Sequence, residues 1–276
     1  MTTTIPILLY HSVSTAPPAW IAPFTVTPRT FTRHLDLIAA SGRTALTVSQ
    51  FRDALAGDVP LPPRPLLVTF DDGFADFVEA ASELAARKLP STLYVTTGAL
   101  RGPSGADPRL ALPPAEMLSW SDVRALPGFG VEVGAHTHTH PQLDVLPPGE
   151  VDEEIRRSKH QLEDALGGEV RSFAYPHGFH SPRVCRAVRA AGYTSACAVM
   201  NALSARNDRL FALARLTVRA DTGVDRLAAW LAGDDARVAP SREKAATRAW
   251  RFYRRADARW GDLPAVRRLT ARLPRP

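Results

Sequence analysis

The chain has 276 residues, of which 45% are hydrophobic, and this length can fill one large barrel domain or two smaller domains. No apolar run approaches the roughly 18 residues of a membrane-spanning helix, which argues against an integral membrane protein. The first residues, MTTTIPILLYHSV, lack the basic segment and the cleavage site of a signal peptide. We therefore expect a cytoplasmic location.

Charge is distributed unevenly along the chain. The full sequence carries 34 Lys and Arg against 28 Asp and Glu, but residues 241–276 alone hold 11 bases and three acids. The first 240 residues are therefore close to neutral, and the isoelectric point of about 9.8 reflects the C-terminal part. Cys185 and Cys197 lack metal-binding spacing and are typical of small core residues.

Short apolar runs alternate with helical patterns along most of the chain. The predicted strands are 5–10, 45–48, 66–70, 92–96, 131–135, 170–174, 193–199 and 212–218. The predicted helices are 28–40, 49–55, one after Gly73, a short one capped by Ser121, 149–166, 182–190 and 224–231. This alternation is typical of parallel strands joined by right-handed crossovers. An open doubly wound sheet is the alternative, but no glycine-rich nucleotide fingerprint follows the first strand. We therefore predict a (β/α) barrel of seven or eight mostly parallel strands.

The rest of the chain is organised around the segment Leu66–Gly73. Its apolar run predicts a strand buried on both faces, which two carboxylates, Asp71 and Asp72, follow at once. An Asp-Gly pair in this position also fits a hairpin turn, but the residues after Gly73 have helical rather than alternating spacing. We therefore predict a strand–turn–helix unit with a cation beside the two carboxylates.

Histidines give the second strong signal, because six of the eight lie between residues 136 and 180. In the segment HTHTH, His136 and His140 would share one face of a helical turn, whereas an extended chain would put His136, His138 and His140 on one side. Two histidines and one aspartate leave a coordination position open for water, as in a catalytic metal site. The second aspartate would then act as a general base on that water.

Five of the predicted strands end at polar or ionisable residues. These are His11, the Asp71–Asp72 pair, the histidines of 136–140, His177 after Tyr175 and Pro176, and Arg215. Parallel barrels place their active sites at the C-terminal ends of the strands. We therefore expect these residues to meet at one mouth of the barrel.

The motifs TFDDGF, VEVGAHTHTHPQL and FAYPHG, in this order, resemble those of the polysaccharide deacetylase (NodB-homology) family. The resemblance takes in PILLYHSV, MLSWSDVRAL and RAAGYTSA and spans about residues 5–232. It implies a distorted parallel barrel and a metal-dependent N-deacetylase with one divalent ion, usually Zn²⁺, with Co²⁺, Ni²⁺ or Mn²⁺ as alternatives. The residues that the resemblance assigns are Asp71 as base, Asp72, His136 and His140 as metal ligands, and the backbone N–H of His177 as oxyanion donor, with Pro176 fixing its turn.

Two departures from the family pattern concern catalysis. Ala174 stands where many members have an arginine, and Leu213-Ala214-Arg215 stands where many have Leu-x-His. We predict that Arg215 orients Asp71 and that His11 supplies the general acid, with His138 and His177 as weaker candidates. Alternatively, His11 bonds a neighbouring loop and Arg215 forms a structural ion pair.

These residues predict a hydrolase that removes N-acetyl groups from an amino sugar in a saccharide or glycoconjugate. We expect Tyr175, Pro176 and His138 to contact the substrate. An O-acetyl esterase acting on a carbohydrate and a saccharide-binding protein with impaired catalysis remain alternatives. A 2-His-1-carboxylate iron oxygenase fits the ligand count but gives no role to Asp71.

The sequence predicts a barrel of residues 1–233 and a basic extension of residues 234–276. Between 246 and 260 small and aromatic residues line one helical face, and the basic face carries Lys244, Arg248, Arg251, Arg255 and Arg259. Residues 241–276 could therefore lie on an anionic membrane surface, or the helix could dock on the barrel with its arginines in solvent. We expect no nucleic acid partner, because no binding module accompanies the charge.

Overall fold

The structure is a computed structural model that describes residues 4–102, 105–240 and 253–255. The α-helices between residues 4 and 240 are α1 (Pro28–Ala40), α2 (Val48–Ala56), α3 (Phe77–Ala86), α4 (Trp120–Ala125), α5 (Pro148–Leu166), α6 (Pro182–Ala190) and α7 (Val224–Ala232). The strands are β1 (Thr4–Ile5), β2 (Ile7–Tyr10), β3 (Ser12–Val13), β4 (Thr25–Val26), β5 (Thr44–Leu46), β6 (Pro65–Phe70), β7 (Ser91–Val95), β8 (Val131–Ala135), β9 (Ser172–Ala174), β10 (Ser195–Cys197), β11 (Ala202–Ala205), β12 (Leu216–Thr217) and β13 (Arg237–Val238). Short 3₁₀ helices occupy Ala22–Phe24, Thr97–Ala99, Leu126–Phe129 and Pro176–Gly178.

One parallel sheet forms the centre of the molecule. Its strand order is β10-β9-β8-β7-β6-β2-β12, and β5 also pairs with β6. The sheet curls back on itself, because Leu213, just before β12, bridges Cys197 of β10 and accepts a hydrogen bond from the Ala198 N–H at 2.9 Å. Cys197 is a free, fully buried thiol at this closure. The prediction of a distorted (β/α) barrel of mostly parallel strands is confirmed.

The residues of β6 divide alternately between the two sides of the sheet. Leu66, Val68 and Phe70 belong to the apolar cluster between the strands and the surrounding helices. Leu67 belongs instead to the cluster that fills the inside of the barrel. Because side chains of a strand repeat with a period of two, Asp71 also faces the inside, at the end of the strand. The apolar pattern of β6 thus positions a carboxylate at the barrel mouth.

The helices lie where the sequence predicts them, but two of their caps differ. Thr47 rather than Ser49 caps α2, and Ser119 rather than Ser121 caps α4. Each observed cap belongs to a capping box, in which the third residue of the helix bonds back to the backbone of the cap. This reciprocal pair satisfies two backbone donors at once, and it favours the earlier residue in both helices.

Residues 234–240 contact the barrel, and the predicted domain boundary at residue 233 stays a prediction. Strand β13 pairs in parallel with β11, and Ala239 is buried. Most of the basic extension lies outside the described residues. Of the helix predicted between 246 and 260, the structure describes residues 253–255, which are helical. Within the part of the chain that the structure describes, every helix is too short or too polar to cross a bilayer.

Gly134 of β8 tests how tightly the inside of the barrel is packed. A β-carbon at Gly134 would lie 2.6 Å from the ring of Tyr94 and 2.8 Å from Ser172 Oγ. We expect Gly134→Ala to lower the free energy of unfolding by about 1–3 kcal/mol, the usual effect of overpacking. Gly149→Ala is the control, because a β-carbon at this position of α5 meets nothing within 4 Å. Equal urea midpoints for Gly134→Ala and the wild type would contradict this packing.

Candidate active site

Asp71 and Asp72 lie in the turn between β6 and α3. The Asp71 N–H still donates to Tyr10 O at 3.1 Å, as in the strand. Asp72 and Gly73 then adopt left-handed conformations, with φ of 76° and 93°. The left-handed turn ends the alternation of the strand, and both carboxylates line the same cavity.

Arg215 contacts Asp71 from inside the barrel. Its Nη1 and Nη2 donate to Asp71 Oδ1 and Oδ2, both at 2.7 Å, and its Nε donates to Ala198 O at 3.0 Å. Burial raises the pKa of Asp71, but Arg215 and His136 lower it, and the net pKa lies below the ordinary value. Asp71 is therefore ionised at neutral pH and keeps lone pairs that the arginine does not use.

A loop rather than a helical turn separates His136 from His140. Thr137 and His140 have positive φ angles of 67° and 63°, and the His140 N–H donates to Thr137 Oγ1 at 3.0 Å. This backbone directs His136 and His140 into the barrel mouth and His138 away from it. Neither the helical turn nor the extended chain that the sequence allowed is formed.

Asp72, His136 and His140 form a cluster whose ligand atoms lie within 4.8 Å of one another. The Nε2 atoms of His136 and His140 are 3.5 and 3.2 Å from Asp72 Oδ1. His136 Nδ1 is 2.8 Å from Ala174 O. Because a carbonyl oxygen can only accept, Nδ1 carries the ring proton and Nε2 presents a lone pair to the cluster.

This donor set fits a divalent transition metal. Ligands about 2.0–2.2 Å from a tetrahedral ion lie roughly 3.3–3.6 Å apart, close to the two separations from Asp72. Burial lowers the pKa of His136 to about 4, against an opposing effect of Asp71. Burial raises the pKa of Asp72, but the neighbouring His140 lowers it, and the net pKa is below the ordinary value. A neutral imidazole and an ionised carboxylate are the protonation states that bind a cation.

A cavity of about 370 Å³ opens over this cluster. The polar residues that line it are His11, Asp71, Asp72, His136, His140, His177 and Thr217. The apolar residues that line it are Leu9, Trp20, Ile21, Phe24, Ala111, Leu112, Pro113 and Val199. Trp20 Nε1 donates to Pro114 O at 3.3 Å and thereby joins the two loops of the apolar side. Sequence reasoning missed this side, because its loops have no hydrophobic periodicity.

His11 follows β2 and lines the cavity close to both carboxylates. Its Nδ1 is buried and has no hydrogen-bond partner among residues 4–102, 105–240 and 253–255. Burial lowers the pKa of His11 below its ordinary value, although the charges of Asp72 and Asp71 oppose this shift. The alternative in which Nδ1 bonds a neighbouring loop is therefore not observed in the described chain.

His177 is the second residue of the 3₁₀ helix Pro176–Gly178 and has a positive φ of 56°. Its ring lies between the rings of His140 and Phe179, at centroid distances of 4.8 and 5.7 Å. Burial, followed by the charge of His140, lowers the pKa of His177 to about 4. The imidazole of His177 is therefore neutral at physiological pH.

The three residues expected to contact substrate are not among the described residues that line the cavity. The Tyr175 hydroxyl donates to Phe211 O at 2.9 Å in the core, and Pro176 is buried. His138 Nε2 is 3.0 Å from Asp107 Oδ2 on the outer side of the loop. The side chains of these residues thus contact protein groups, and substrate contact by Tyr175, Pro176 and His138 stays a prediction.

Glu154 of α5 anchors the histidine loop, and sequence reasoning missed it. Its Oε2 accepts from the N–H groups of His138 and Thr139 at 2.9 and 2.7 Å, and its Oε1 accepts from Thr139 Oγ1 at 2.6 Å. Glu154 is buried next to Ile155, on the inner side of its helix. Its position on the apolar face of a helix could have indicated this role, because a buried acid needs hydrogen-bonding or cationic partners.

Two arginines of the C-terminal extension contact the same region. Arg254 Nη2 donates to the carboxylate oxygens of Asp144 at 2.9 and 2.8 Å, and Arg255 Nε donates to Asp144 Oδ2 at 3.0 Å. Arg255 was predicted on a face turned to a membrane or to solvent, and it instead pairs with the barrel. The other residues of that basic face fall in the part of the chain that is not described.

Comparison with known proteins finds a similar sequence and several similar structures. YxkH of Bacillus subtilis, whose name is that of a polysaccharide deacetylase, is 23% identical over 215 residues, which are 78% of this chain and 71% of YxkH. The structure of IcaB from Ammonifex degensii superposes with a TM-score of 0.70 at 26% identity, over 83% of this chain and 97% of IcaB. The deacetylase PplD of Streptococcus pyogenes, solved with acetate, gives a TM-score of 0.72 at 23% identity over 82% and 97%.

The family model of polysaccharide deacetylases matches residues 58–196, half of the chain. This stretch contains both carboxylates of the turn after β6 and the histidine loop after β8. It also contains the turn that carries His177. The chain therefore belongs to the polysaccharide deacetylase family.

Proposed function

We propose that the chain is a metal-dependent hydrolase that removes N-acetyl groups from an amino sugar in a saccharide or glycoconjugate. One observation carries this proposal: Asp71, ionised and held by Arg215, lies beside a separate cluster of three metal-ligand side chains. Binding a metal needs only that cluster. A second ordered carboxylate supports hydrolysis rather than simple saccharide binding, because a binding protein has no use for a base at this place.

Each polar residue of the site has a distinct proposed role. Asp72, His136 and His140 would hold one divalent ion, for which Zn²⁺ is our first choice. When bound, such an ion polarises the acetyl carbonyl and lowers the pKa of water. Asp71 accepts the proton of the attacking water on a carboxylate oxygen that Arg215 already orients. The arginine keeps Asp71 ionised, so the base is ready at neutral pH.

We assign the oxyanion of the tetrahedral intermediate to the backbone N–H of His177. The first N–H groups of a helical turn have no acceptor within that turn, and His177 is the second residue of Pro176–Gly178. Proline has no N–H, so His177 is the first donor that the turn can offer. A fixed donor of this kind stabilises the transition state more than the planar ground state.

We propose that His11 donates the proton that the leaving amine needs. The imidazole of His177 is neutral, with a pKa lowered to about 4, and His138 is bonded to Asp107 outside the cavity. His11 lines the cavity, and Asp71 and Asp72 oppose the lowering of its pKa by burial. Negative charge on the tetrahedral intermediate adds to that of these carboxylates and raises the pKa of His11. His11 then takes the proton that Asp71 accepted from the attacking water and passes it to the leaving amine.

The apolar side of the cavity suits an acetylated sugar. Trp20 and Phe24 are half-buried and line the cavity together with Leu112. Aromatic rings that line a cavity provide flat apolar surface for the acetyl methyl and for the hydrophobic face of a pyranose ring. Polar groups gathered on one side and apolar groups on the other would orient the acetamide toward the cluster.

The first experiment measures acetate release from a panel of N-acetylated and O-acetylated saccharides. We expect the purified chain, loaded with Zn²⁺, to release acetate from N-acetylated amino sugars. Asp71→Asn preserves the shape of the side chain, and it should be slower by at least ~10²-fold, the usual scale for a general base. Release from O-acetyl esters alone would replace the proposal by an esterase. Near-normal turnover of Asp71→Asn would remove Asp71 from the role of base.

The metal site is tested by elemental analysis of the purified protein. We expect about one divalent ion per chain, removable by a chelator, because three ligands with one open position form a single site. Asp72→Ala, His136→Ala and His140→Ala should lose the ion. His138→Ala is the matched control within the same loop and should retain it, since His138 points away from the cluster. Retention of the ion in all three ligand variants would end the metal hypothesis.

His11 is tested with two leaving groups. His11→Ala should keep the ion and lose most amide hydrolysis, because an amine leaves only when it is protonated. An aryl acetate should be affected much less, since a phenolate leaves without a proton. Equal losses on both substrates would assign His11 to substrate binding, and an unchanged amide rate would show that another group is the acid.

A further inference from the structure

Two neighbouring loops carry the groups proposed for the chemistry. The metal loop, residues 136–147, contains the proposed ligands His136 and His140, and the oxyanion turn, residues 176–180, contains His177. The rings of His140 and His177 contact each other at a centroid distance of 4.8 Å. The relative position of the two loops therefore sets the position of the oxyanion donor relative to the metal ligands.

Arg254 bridges these two loops from the outside. Its guanidinium donates to both carboxylate oxygens of Asp144, at 2.9 and 2.8 Å, and to Gln142 Oε1, all in the metal loop. The same guanidinium lies over the ring of Phe179 in the oxyanion turn, with Cζ 3.6 Å from the ring centroid. One planar group thus bonds one loop through its edge and stacks on the other through its face.

Arg255 makes a second link of the same kind. Its Nε donates to Asp144 Oδ2 at 3.0 Å, and its Nη2 donates to His180 O at 3.1 Å. The side chain of Asp144 is fully buried, and its described partners are Arg254 and Arg255. A buried carboxylate requires cationic or hydrogen-bonding partners. Here a segment more than a hundred residues further along the chain supplies them.

These contacts form a closed circuit. The ring of His140 contacts His177, His177 contacts Phe179, Phe179 contacts Arg254, and Arg254 bonds Asp144. Asp144 follows His140 by four residues along the metal loop, which completes the circuit. His140 and His177 both have positive φ angles, which persist only where surrounding contacts hold them. The arginine supplies such contacts on both loops at once.

We propose that Arg254, supported by Arg255, is a positioning residue that holds the oxyanion turn against the metal loop through Asp144. This role rests on the proposed function, because it concerns the alignment of the His177 N–H with the ligand cluster. Arg254 lies outside residues 58–196 that the family model matches. Arg254 and Arg255 of the basic extension would thus be part of the working site.

The test compares Arg254→Ala with Arg226→Ala in the full chain loaded with Zn²⁺. We expect kcat of Arg254→Ala on an N-acetylated amino sugar to fall about tenfold, less than the ~10²–10³-fold that loss of an oxyanion donor costs. KM, zinc content and thermal midpoint should stay close to the wild type, because neither substrate binding nor the ligands change. Arg226 is a matched control, since it is half exposed and approaches Asp235 only at 3.8 Å.

Hydrogen exchange tests the same point without an activity assay. In Arg254→Ala we expect faster exchange in peptides of residues 139–147 and 175–182, with no change in β6. Arg226→Ala should change neither loop. If the wild type releases no acetate, the proposed function fails, and the exchange result still decides the role of Arg254. Unchanged exchange in both loops would overturn the positioning role.

Two further variants distinguish a positioning role of Arg254 from an effect of its charge and from a loss of overall stability. Arg254→Lys keeps the charge but lacks the planar fork, so it should lose nearly as much kcat as Arg254→Ala. The double variant Asp144→Asn with Arg254→Ala should lose no more than the larger single effect, because the two residues act as one unit. A wild-type kcat in Arg254→Lys would overturn the proposal. A lower thermal midpoint together with faster exchange throughout the barrel in Arg254→Ala and Arg254→Lys would also overturn it.

Discussion

The buried ion pair between Arg215 and Asp71 is the interaction on which the barrel mouth depends. A fully buried guanidinium loses its hydration and is tolerated only where its donors are used, and here Asp71, Thr69 Oγ1 and Ala198 O accept from it. These acceptors lie on β6, just after β6 and just after β10. Arg215 itself lies just before β12, next to Leu213, whose bridge to Cys197 closes the sheet. The contact of Arg215 with Asp71 orients and ionises the carboxylate that we assign as base. Closure of the fold and readiness for catalysis therefore rest on one side chain.

Backbone strain is concentrated around the same mouth. Asp72, Thr137, His140 and His177 all have positive φ although none is a glycine. Each of these conformations needs surrounding contacts to hold it. Within the described residues those contacts include the hydrogen bonds of Glu154 to the histidine loop and those of the extension to the loop after His140. The network around the cluster thus holds the three proposed ligand side chains together at the ends of loops.

The sequence predicts the parts of this site that depend on periodicity and on the chain ends of strands. The apolar run of β6 followed by two carboxylates predicted a cation site, the clustered histidines offered ligands for it, and the family resemblance selected His136 and His140 among them. The direction of His138 could not be predicted, because it depends on left-handed residues held by Glu154, a partner 16 residues away in another element. The apolar side with Trp20 and the contacts of Arg255 were missed for the same reason. They arise from tertiary contacts between segments without a regular pattern.

Arg215 and Arg254 make the same kind of interaction at different degrees of burial. The guanidinium of Arg215 binds Asp71, 144 residues away in sequence, and that of Arg254 binds Asp144, 110 residues away. Each contact holds a segment that carries proposed catalytic groups. Their burial differs, because the side chain of Arg215 is 0% exposed while those of Arg254 and Arg255 are 11% and 39% exposed. Loss of one partner of the inner pair would leave a charge stranded in the barrel interior. The outer arginines are partly exposed, so water can enter where one of them is removed and solvate the Asp144 carboxylate that they cover. The inner arginine is therefore part of the fold itself, and the outer arginines can adjust the geometry of the site without being required for the barrel to form.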